Sequence, residues 1–295
     1  MYRILYNPIC ACGQGKTRAL ALKEHLRGQV YSYTDIREIS DFKAFFESLD
    51  REDCIVIAGG DGTLNHFVND IDGIEFDNDV YYFAAGSGND FYRDISTEPE
   101  KLLKINSYIR NLPTVEVNGM RRKFVNGIGY GIDGYCCEIG DLLSKKSEKP
   151  VNYTMIAIKG LLFHYHPTNA KVTVDGKTTE YKHVWLAPTM NGRYYGGGMM
   201  VTPEQDRLAE DKSLSVGVFH GSGKLKTLMI FPSIFKGEHV NHTDVFTVLR
   251  GHEVTVEFDR PTALQIDGET VLDVTSYTVR AGKPVEAVAA ATEAN

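Results

Sequence analysis

The first third of the chain is constrained most by a buried strand that runs directly into a glycine-rich turn. Residues Cys54–Ala58 form a continuous apolar run, typical of a parallel strand covered on both faces, and Gly59-Gly60-Asp61-Gly62-Thr63 follows at once. Ligands of open α/β sheets bind at the carboxyl ends of strands, where consecutive glycines present backbone N–H groups to phosphate oxygens. The turn therefore indicates a phosphate-binding loop. A tight turn in which Asp61 caps the helix predicted from Leu64 explains the same residues equally well.

Strand-like and helix-like segments alternate on both sides of this turn. Strands are predicted at Tyr2–Tyr6, Gln29–Thr34, Cys54–Ala58 and Val80–Ala84, and helices at Thr17–Leu26 and at Ser40–Leu49 with Ser40 as N-cap. The alternation predicts a three-layer α/β domain with a parallel sheet over residues 1–114. Two further glycine-containing loops follow strands, Asn7-Pro8 with Gly13–Lys16, and Gly86–Asp90. We expect all three loops at one edge of the sheet.

The pattern changes near residue 114, where short alternating β segments take over. Strands are predicted at Val115–Val117, Lys123–Asn126, Ala170–Val174, His183–Met190, Leu214–Phe219, Val254–Phe258, Leu264–Ile266 and Tyr277–Arg280. The pairs Asp175-Gly176 and Asp267-Gly268 favour hairpins, and helical patterns cover 134–144, 151–165 and 224–236. This region predicts an antiparallel β-sandwich domain over 115–283, followed by an Ala/Glu-rich tail at 284–295.

Charge and cysteine content exclude several classes of protein. The 295 residues carry a formal net charge of −7, and no nucleic-acid partner is expected because nucleic-acid binders present a basic footprint. The short basic run Arg121–Lys123 is most simply a solvated face. The five cysteines lack zinc-site spacing, which favours reduced thiols in a cytoplasmic protein. A secretory signal and a spanning apolar run of about 18 residues are not expected either.

Several motifs, taken in order, resemble the diacylglycerol kinase catalytic-domain family, which includes soluble bacterial lipid kinases and the sphingosine kinases. Gly59–His66 is similar to its GGDGT-L-N-E/H signature, Asn7-Pro8 to its NP-x-S-G motif, and Gly86–Phe91 to its G-T-x-N-D-F motif, with Ser87 in the Thr position. Later matches are Phe124–Asp133, Gly196–Pro203, Phe235–His239 and Gln265–Glu269. The likeness spans residues 1 to 283. One departure is Glu210–Val216, which stands where the family usually has D-D-G-x-L-D-V and argues against a structural Mg²⁺ there.

The resemblance implies an ATP- and Mg²⁺-dependent lipid kinase that converts diacylglycerol to phosphatidic acid. By the same resemblance the nucleotide contacts are Asn7, Thr34, Gly59, Gly60, Gly62, Thr63 and Ser87, and the carboxylates that organise Mg²⁺ are Asp61, Asp90 and Asp133. Asp267 corresponds to the general base, with Glu269 beside the phosphate site. From its residues alone, Asp267-Gly268 is most simply a hairpin turn. Two alternatives remain: an enzyme like the NAD kinases, and a nucleotide-binding regulatory protein with a degenerate site.

The lipid side rests on an apolar segment with basic flanks. Residues 224–236 contain Leu225, Leu228, Met229, Ile230, Phe231, Ile234 and Phe235, next to Lys224, Lys226 and Lys236. Such a segment favours peripheral contact with an anionic membrane, although a core helix of the sandwich domain explains it too. A homodimer is compatible with the sequence, and the lipid itself is not determined by it.

Overall fold

The computed structural model describes residues 1–146, 151 and 153–283. The chain divides into two compact units, Met1–Arg110 and Asn111–Asn295. The tail predicted at 284–295 lies outside the described residues. The division falls four residues before the boundary expected from the change of pattern near residue 114.

The first unit is built on a five-stranded sheet with the order β2-β1-β3-β4-β5. The strands are β1 Tyr2–Tyr6, β2 Tyr31–Asp35, β3 Cys54–Gly59, β4 Asp79–Ala84 and β5 Leu103–Lys104. The first four are mutually parallel, as predicted, and only the short edge strand β5 is antiparallel to its neighbour. Tyr6 is in register with Ala58 and Asp35, and Gly59 with Ala84. The carboxyl ends of β1 to β4 therefore lie at one edge.

Helices cover both faces of this sheet. They are α1 Cys10–Gly13, α2 Gly15–Ala19, α3 Leu22–His25, α4 Phe42–Glu47, α5 Asp61–Asp70, α6 Asp90–Ile95 and α7 Asn106–Ile109. Ala19 and Leu22 join the apolar cluster of Ile4 and Val56 on one face. On the other, the Phe91 ring of α6 packs edge-on against Tyr82 of β4, and Phe42 of α4 against Phe67 of α5. The three-layer α/β prediction is confirmed.

Helix boundaries in this unit differ from the predicted ones for local reasons. The helix expected over Thr17–Leu26 is interrupted at Leu20 and Ala21, because the N–H groups of Ala21, Lys23 and Glu24 donate to carbonyls three residues earlier instead of four. Helix α4 is capped by Asp41 rather than Ser40, because the Asp41 carboxylate accepts the N–H of Ala44 at 3.0 Å. Helix α5 begins at Asp61, three residues earlier than expected, which makes the glycine-rich turn part of the helix start.

The second unit is dominated by antiparallel strands. They are β6 Thr114–Val117, β7 Met120–Lys123, β8 Gly127–Tyr130, β9 Thr168–Val174, β10 Lys177–Val184, β11 Thr189–Met190, β12 Tyr194–Tyr195, β13 Met199–Met200, β14 Leu214–Phe219, β15 Phe246–Gly251, β16 Glu253–Ile266 and β17 Glu269–Arg280. The main sheet has the order β15-β14-β11-β8-β16-β17-β6-β7, with β9 joining β16 to β10, and β12 pairs with β13 separately. Valines and aromatic rings from most of these strands share one buried cluster. The predicted antiparallel, sandwich-like domain is confirmed.

Helices complete the second unit: α8 Ile132–Ser144, α9 Tyr153–Lys159 with a π-helical turn at Gly160–His164, and α10 Lys224–Ile230 with 3₁₀ turns at Phe231–Lys236 and Glu238–Asn241. No helix within the described ranges is long and apolar enough to cross a membrane.

Both predicted Asp-Gly hairpins form, with Val174 opposite Lys177 and Ile266 opposite Glu269. Five strand predictions were wrong in extent, among them Tyr277–Arg280, whose strand β17 already begins at Glu269. The chain leaves the sheet after Lys123, and only the two ends of His183–Met190 are strand. Residues 254–258 and 264–266 belong to one long strand, β16, whose register shifts between Glu257 and Leu264.

Candidate functional site

Two glycine loops meet backbone to backbone at the carboxyl edge of the first sheet. A Cβ added to Gly86 would lie 2.4 Å from the Cα of Gly60, and one added to Gly60 would lie 3.0 Å from the Cα of Gly86. Real Cβ atoms do not approach a backbone as closely as 2.4 Å, so the Gly86 position requires glycine, and a Cβ at Gly60 would fit only if the neighbouring backbone moved. The loops that follow β3 and β4 are therefore joined into one surface.

The start of helix α5 forms the centre of this surface. Gly60 is the N-cap, and Asp61, Gly62 and Thr63 make the first turn, whose N–H groups have no partner within the helix. A Cβ on Gly62 would meet no heavy atom within 4 Å among the described residues, whereas one on Gly59 would lie 2.5 Å from the Thr63 Cβ. The turn is packed on its inner side and open at Gly62. Such a helix start attracts anions through its N–H groups and its dipole.

The loop after β1 supports the same turn. The Asn7 side-chain amide donates a hydrogen bond to Thr63 Oγ1 at 3.0 Å. Gly15 lies so close that its Cβ would be 1.9 Å from the Asn7 carbonyl oxygen. Asn7 thus fixes the orientation of the Thr63 hydroxyl, and the first and second predicted loops are in direct contact.

Asp61 connects the second and third loops. Its carboxylate accepts the backbone N–H groups of Asp90, at 2.9 Å, and of Phe91, at 2.8 Å. These are the first N–H groups of helix α6, which Asn89 precedes in the left-handed conformation. Asp61 therefore caps a helix 29 and 30 residues further along the chain. From the sequence, Asp61 was expected to cap only the helix that follows it directly in the chain.

The other predicted residues of this unit lie along the same edge. Ser87 is exposed just beyond the Gly86 contact, and Thr34 pairs with Leu5 one residue before the end of β2. Next to it, Asp35 is bound by the Arg37 guanidinium, and this hydrogen bonding lowers the pKa of the carboxyl. Asp90 is buried, with Arg93 Nη1 3.8 Å from Oδ1. The structure thus places Asn7, Thr34, Gly59–Thr63, Ser87 and Asp90 on neighbouring strand ends and helix starts.

Arg18, which follows the first loop in the chain, binds the third loop. The sequence analysis did not identify this residue. Its Nη1 donates to the carbonyl oxygens of Gly86, at 2.6 Å, and Ala85, at 3.3 Å. Cys10 is directed at the same Ala85 carbonyl, and burial raises the pKa of its thiol. Arg18 is separated from Ala85 by 67 positions and from Gly86 by 68. No local sequence pattern indicates a contact over that distance.

In the second unit, the Asp267 carboxylate is surrounded by backbone N–H groups. Oδ2 accepts from Val125 at 2.5 Å, and Oδ1 accepts from Asn126 at 2.8 Å and Gly127 at 3.0 Å. Asp267 and Gly268 both have positive φ, +46° and +95°, as a two-residue type I′ hairpin turn requires. Three amide donors stabilise the ionised carboxylate and fix its position. Asp267 is therefore both a turn former and the anchor of a distant segment.

A buried arginine holds the same segment from its carbonyl side. Arg207 Nη1 donates to the Val125 carbonyl and Nη2 to Asn126 Oδ1, both at 2.6 Å. A Cβ on Gly192 would lie 2.0 Å from the Arg207 guanidinium, so the space for this side chain depends on glycine. The sequence did not single out Arg207, although a buried arginine needs partners of this kind.

Asp133 is buried in the first turn of α8, where the Tyr195 hydroxyl donates to its Oδ2. Burial raises the pKa of this carboxyl to about 7. A Cβ on Gly129 would lie 2.7 Å from the Asp133 Cβ and 2.6 Å from Gln265 Nε2. Asp133 thus packs over the strand pair β8–β16 that leads into the Asp267 turn.

Glu269 opens strand β17 and forms an ion pair with Arg122. The Arg122 side chain is only 18% exposed. The prediction that the Arg121–Lys123 cluster is a solvated face was therefore wrong for Arg122, because β7 turns this side chain towards β17.

The three carboxylates predicted to organise Mg²⁺ occupy different environments. Asp61 caps α6, Asp90 lies beside Arg93, and Asp133 is bonded to Tyr195. Across residues 1–146, 151 and 153–283, no three His, Cys, Asp or Glu side chains group together as ligands for a metal ion. The residues do not form a protein-held Mg²⁺ site, and Mg²⁺ commonly enters kinase sites through substrate phosphates and water.

A parallel α/β unit with three glycine loops joined at its carboxyl edge is typical of the α/β proteins that bind phosphate-containing ligands at that edge. The comparisons specify the family. Residues 1–117 match the Diacylglycerol kinase catalytic domain, and residues 126–283, more than half of the chain, match the YegS C-terminal NAD kinase beta sandwich-like domain. The chain belongs to the diacylglycerol kinase catalytic-domain family and is a kinase of the lipid-kinase type, as the motifs indicated.

Individual relatives agree with this assignment. The chain is 26% identical over 229 residues to Diacylglycerol kinase of Bacillus subtilis (strain 168), covering 74% of this chain and 71% of the relative. It is 25% identical over 213 residues to Diacylglycerol kinase of Mycobacterium tuberculosis (strain ATCC 25618 / H37Rv), covering 70% and 67%. A solved structure of a diacylglycerol kinase from Bacillus anthracis str. Sterne has a similar fold, with a TM-score of 0.59, 16% identity and coverage of 96% and 94%.

Proposed function

We propose that this chain transfers the γ-phosphoryl group of ATP to the hydroxyl of a membrane lipid, with diacylglycerol as the acceptor and phosphatidic acid as the product. The observation that carries the proposal is the backbone contact of Gly60 with Gly86, which joins the loops beside the open start of α5. Relatives named diacylglycerol kinase, at 25–26% identity, support the choice of lipid.

The nucleotide phosphates are assigned to the start of α5. The N–H groups at the start of α5 would donate to a phosphate, and Gly62, where an added Cβ would meet no described heavy atom within 4 Å, would leave room for its oxygens. Thr63 adds a hydroxyl that Asn7 orients, and Ser87 and Thr34 lie at adjoining loop and strand ends. Asp61 keeps the loops together, so that the phosphate-binding N–H groups are preorganised.

Mg²⁺ would neutralise charge on the phosphates during transfer. The described carboxylates do not assemble a site for it. Its expected ligands are phosphate oxygens and water.

The acceptor side is assigned to the second unit. Asp267 would take the proton of the lipid hydroxyl as its oxygen attacks the γ-phosphorus. The three amide donors that hold Asp267 keep its carboxylate in a fixed position. Phosphoryl transfer depends mainly on positioning and charge stabilisation, so fixed placement matters more than basicity. Glu269 and Arg122, as an ion pair, and Asp133 with Tyr195 would support this region.

The test is incubation of the purified chain with γ-labelled ATP, Mg²⁺ and separate dispersions of diacylglycerol, monoacylglycerol, phosphatidylglycerol, ceramide and undecaprenol, with mass spectrometry of the products. NAD is included as a further acceptor. We expect label in phosphatidic acid. Label in NADP alone would assign the chain to NAD kinase chemistry, and ATP binding without any labelled product would indicate a regulatory protein. Either result would overturn the proposal.

A further inference from the structure

The helical side of the second unit carries large apolar side chains that are exposed to solvent. Phe163 of the π-helical turn is 68% exposed, and Leu225 and Met229 of α10 are 70% and 71% exposed. Met155 of α9 and Phe235 are also exposed. We call these five residues the apolar face. Phe231, part of the apolar segment recognised in the sequence, is instead buried with Ile230 and Ile234.

The helices that carry these residues pack on one core. Ala157, Leu161 and Ile230 are buried in the same apolar cluster. Lys224 Nζ at the start of α10 donates to the Leu162 carbonyl at 3.2 Å, which brings the start of α10 beside Phe163. On α10 the buried Thr227 and Ile230 alternate with the exposed Leu225 and Met229 at helical spacing.

The segments that carry the apolar face are basic in an acidic chain. The protein has a formal net charge of −7, yet residues 151–174 and 212–237 contain no Asp or Glu at all. They contain six lysines, Lys159, Lys171, Lys212, Lys224, Lys226 and Lys236. Lys159 and Lys236 are exposed. Lys226 forms an ion pair with Asp244, which lies outside these segments. Exposed apolar side chains on segments that also carry exposed lysines match an anionic bilayer, whose headgroups attract lysine and whose interior accepts apolar groups.

We propose that the apolar face is the surface through which this protein docks on an anionic lipid bilayer. The proposal rests on the proposed function, because a kinase that acts on diacylglycerol must reach an acceptor that resides in the bilayer. Phe163, Leu225 and Met229 insert at the level of the acyl chains, while Lys159 and Lys236 contact the phosphates. Binding is peripheral and reversible, and increases with the anionic lipid content.

The first experiment measures co-sedimentation of the full chain with vesicles of equal parts phosphatidylcholine and phosphatidylglycerol, and with vesicles of phosphatidylcholine alone. Leu225→Ser combined with Met229→Ser should weaken binding to the mixed vesicles by about tenfold for each side chain, since burial of each in an apolar phase is worth that factor or more. Lys159→Gln combined with Lys236→Gln should weaken it by about fivefold for each ammonium. The lysine variant should bind phosphatidylcholine vesicles as the unmodified chain does.

Val30→Ser is the matched control, because Val30 is an apolar side chain that is 69% exposed and belongs to the first unit rather than to the segments that carry the apolar face. It should bind vesicles normally. All substituted side chains are exposed, so thermal unfolding should be unchanged. Vesicle binding that is the same in the Leu225/Met229 variant as in the unmodified chain overturns the proposal. So does a shift of that variant from dimer to monomer in sedimentation velocity with vesicle binding retained, because the apolar face would then be covered by a second copy.

A kinase assay separates this proposal from the proposed function. With diacylglycerol in mixed vesicles, the Leu225/Met229 variant should lose activity in proportion to its binding. With a short-chain diacylglycerol dispersed as monomers, it should act as the unmodified chain does. If neither form of diacylglycerol is phosphorylated but vesicle binding still falls in the variants, docking is supported and the proposed function fails. If diacylglycerol is phosphorylated and binding does not depend on these residues, docking is overturned and the function stands.

Discussion

The backbones of Gly60 and Gly86 touch, so closely that a Cβ on Gly86 would lie 2.4 Å from the Cα of Gly60. The two residues follow neighbouring parallel strands, β3 and β4, which makes the contact a direct product of the sheet register. Arg18 binds the carbonyl of Gly86 from the other side. The loops beside the start of α5 are thus held in place before any nucleotide arrives.

Gly62→Ala should separate phosphate binding from folding. Gly62 lies in the first turn of α5, and a Cβ there would meet no described heavy atom within 4 Å. Alanine should therefore leave the stability unchanged or raise it by about 0.5–1 kcal/mol, because it restricts the unfolded chain. Its methyl group would occupy space assigned to phosphate oxygens. We expect ATP affinity, measured by calorimetry, to fall by about tenfold or more, a change of about 1.4 kcal/mol.

The matched variant is Gly86→Ala, whose Cβ collides with the backbone of Gly60. Overpacking of this kind costs about 1–3 kcal/mol, so this variant should unfold at a lower temperature. Gly60→Val is a poorer test of phosphate binding, since its Cβ would lie 3.0 Å from the Gly86 Cα. Unchanged ATP affinity in a stable Gly62→Ala protein would remove the start of α5 as the phosphate site.

Asp61→Asn should destabilise the first unit. Both carboxylate oxygens accept backbone N–H groups of α6, and an asparagine would direct its own NH₂ at one of these donors. The lost hydrogen bond should cost about 1–3 kcal/mol of unfolding free energy, measured by urea denaturation. If Asp61 instead acts mainly on Mg²⁺, the denaturation midpoint will stay the same and the Mg²⁺ concentration needed for half-maximal activity will rise.

Asp267→Asn should lower kcat by about 10²–10⁴-fold if the carboxylate accepts the lipid proton, with the KM for ATP little changed. The geometry predicts a loss of stability too, because Val125, Asn126 and Gly127 all donate to this side chain. A lower kcat in this variant is therefore not enough to identify a base.

Arg207→Lys is the control that separates loss of a catalytic base from loss of stability. Lysine cannot reproduce the two-pronged contact of Arg207 with the Val125 carbonyl and the Asn126 side chain, yet the Asp267 carboxylate stays in place. At equal loss of stability, kcat should fall far more in Asp267→Asn than in Arg207→Lys. Equal losses of kcat would assign Asp267 to structure alone.

His239 should make the stability of the protein depend on pH. Burial lowers the pKa of this imidazole from 6.5 to about 4, while its Nε2 lies 2.9 Å from the Val201 carbonyl oxygen. Between these two values the unfolded chain binds a proton that the folded chain does not. The folded state therefore loses up to about 3 kcal/mol as the pH falls through this window.

His239→Gln keeps a donor for Val201 and removes the titration. The difference in unfolding free energy between the original protein and this variant should be constant above about pH 7 and should shift against the original protein by about 3 kcal/mol near pH 4. Urea denaturation at a series of pH values gives this difference. Parallel pH profiles would show that His239 does not titrate in this window.

The sequence predicted those features that depend only on a short stretch of the chain. A continuous apolar run such as Cys54–Ala58 is typical of a central parallel strand, and an Asp-Gly pair between alternating segments allows the positive φ values of a tight hairpin. The parallel sheet, the sandwich-like second unit and the Asp267 turn followed from such patterns. The motif order then indicated the family.

The partners of the site residues were decided only by the tertiary structure. Asp61 binds N–H groups 29 and 30 residues away, and Asp267 binds others 140 to 142 residues away. The buried Phe231 and the exposed Met229 look alike in the sequence, and only the packing of α10 on its core separates them. Local propensity fixes which segments form strands and helices. The register and packing of segments that are distant in the chain decide which polar groups meet and which apolar side chains remain exposed to water. Buried donors and acceptors must find partners wherever the folded chain brings them.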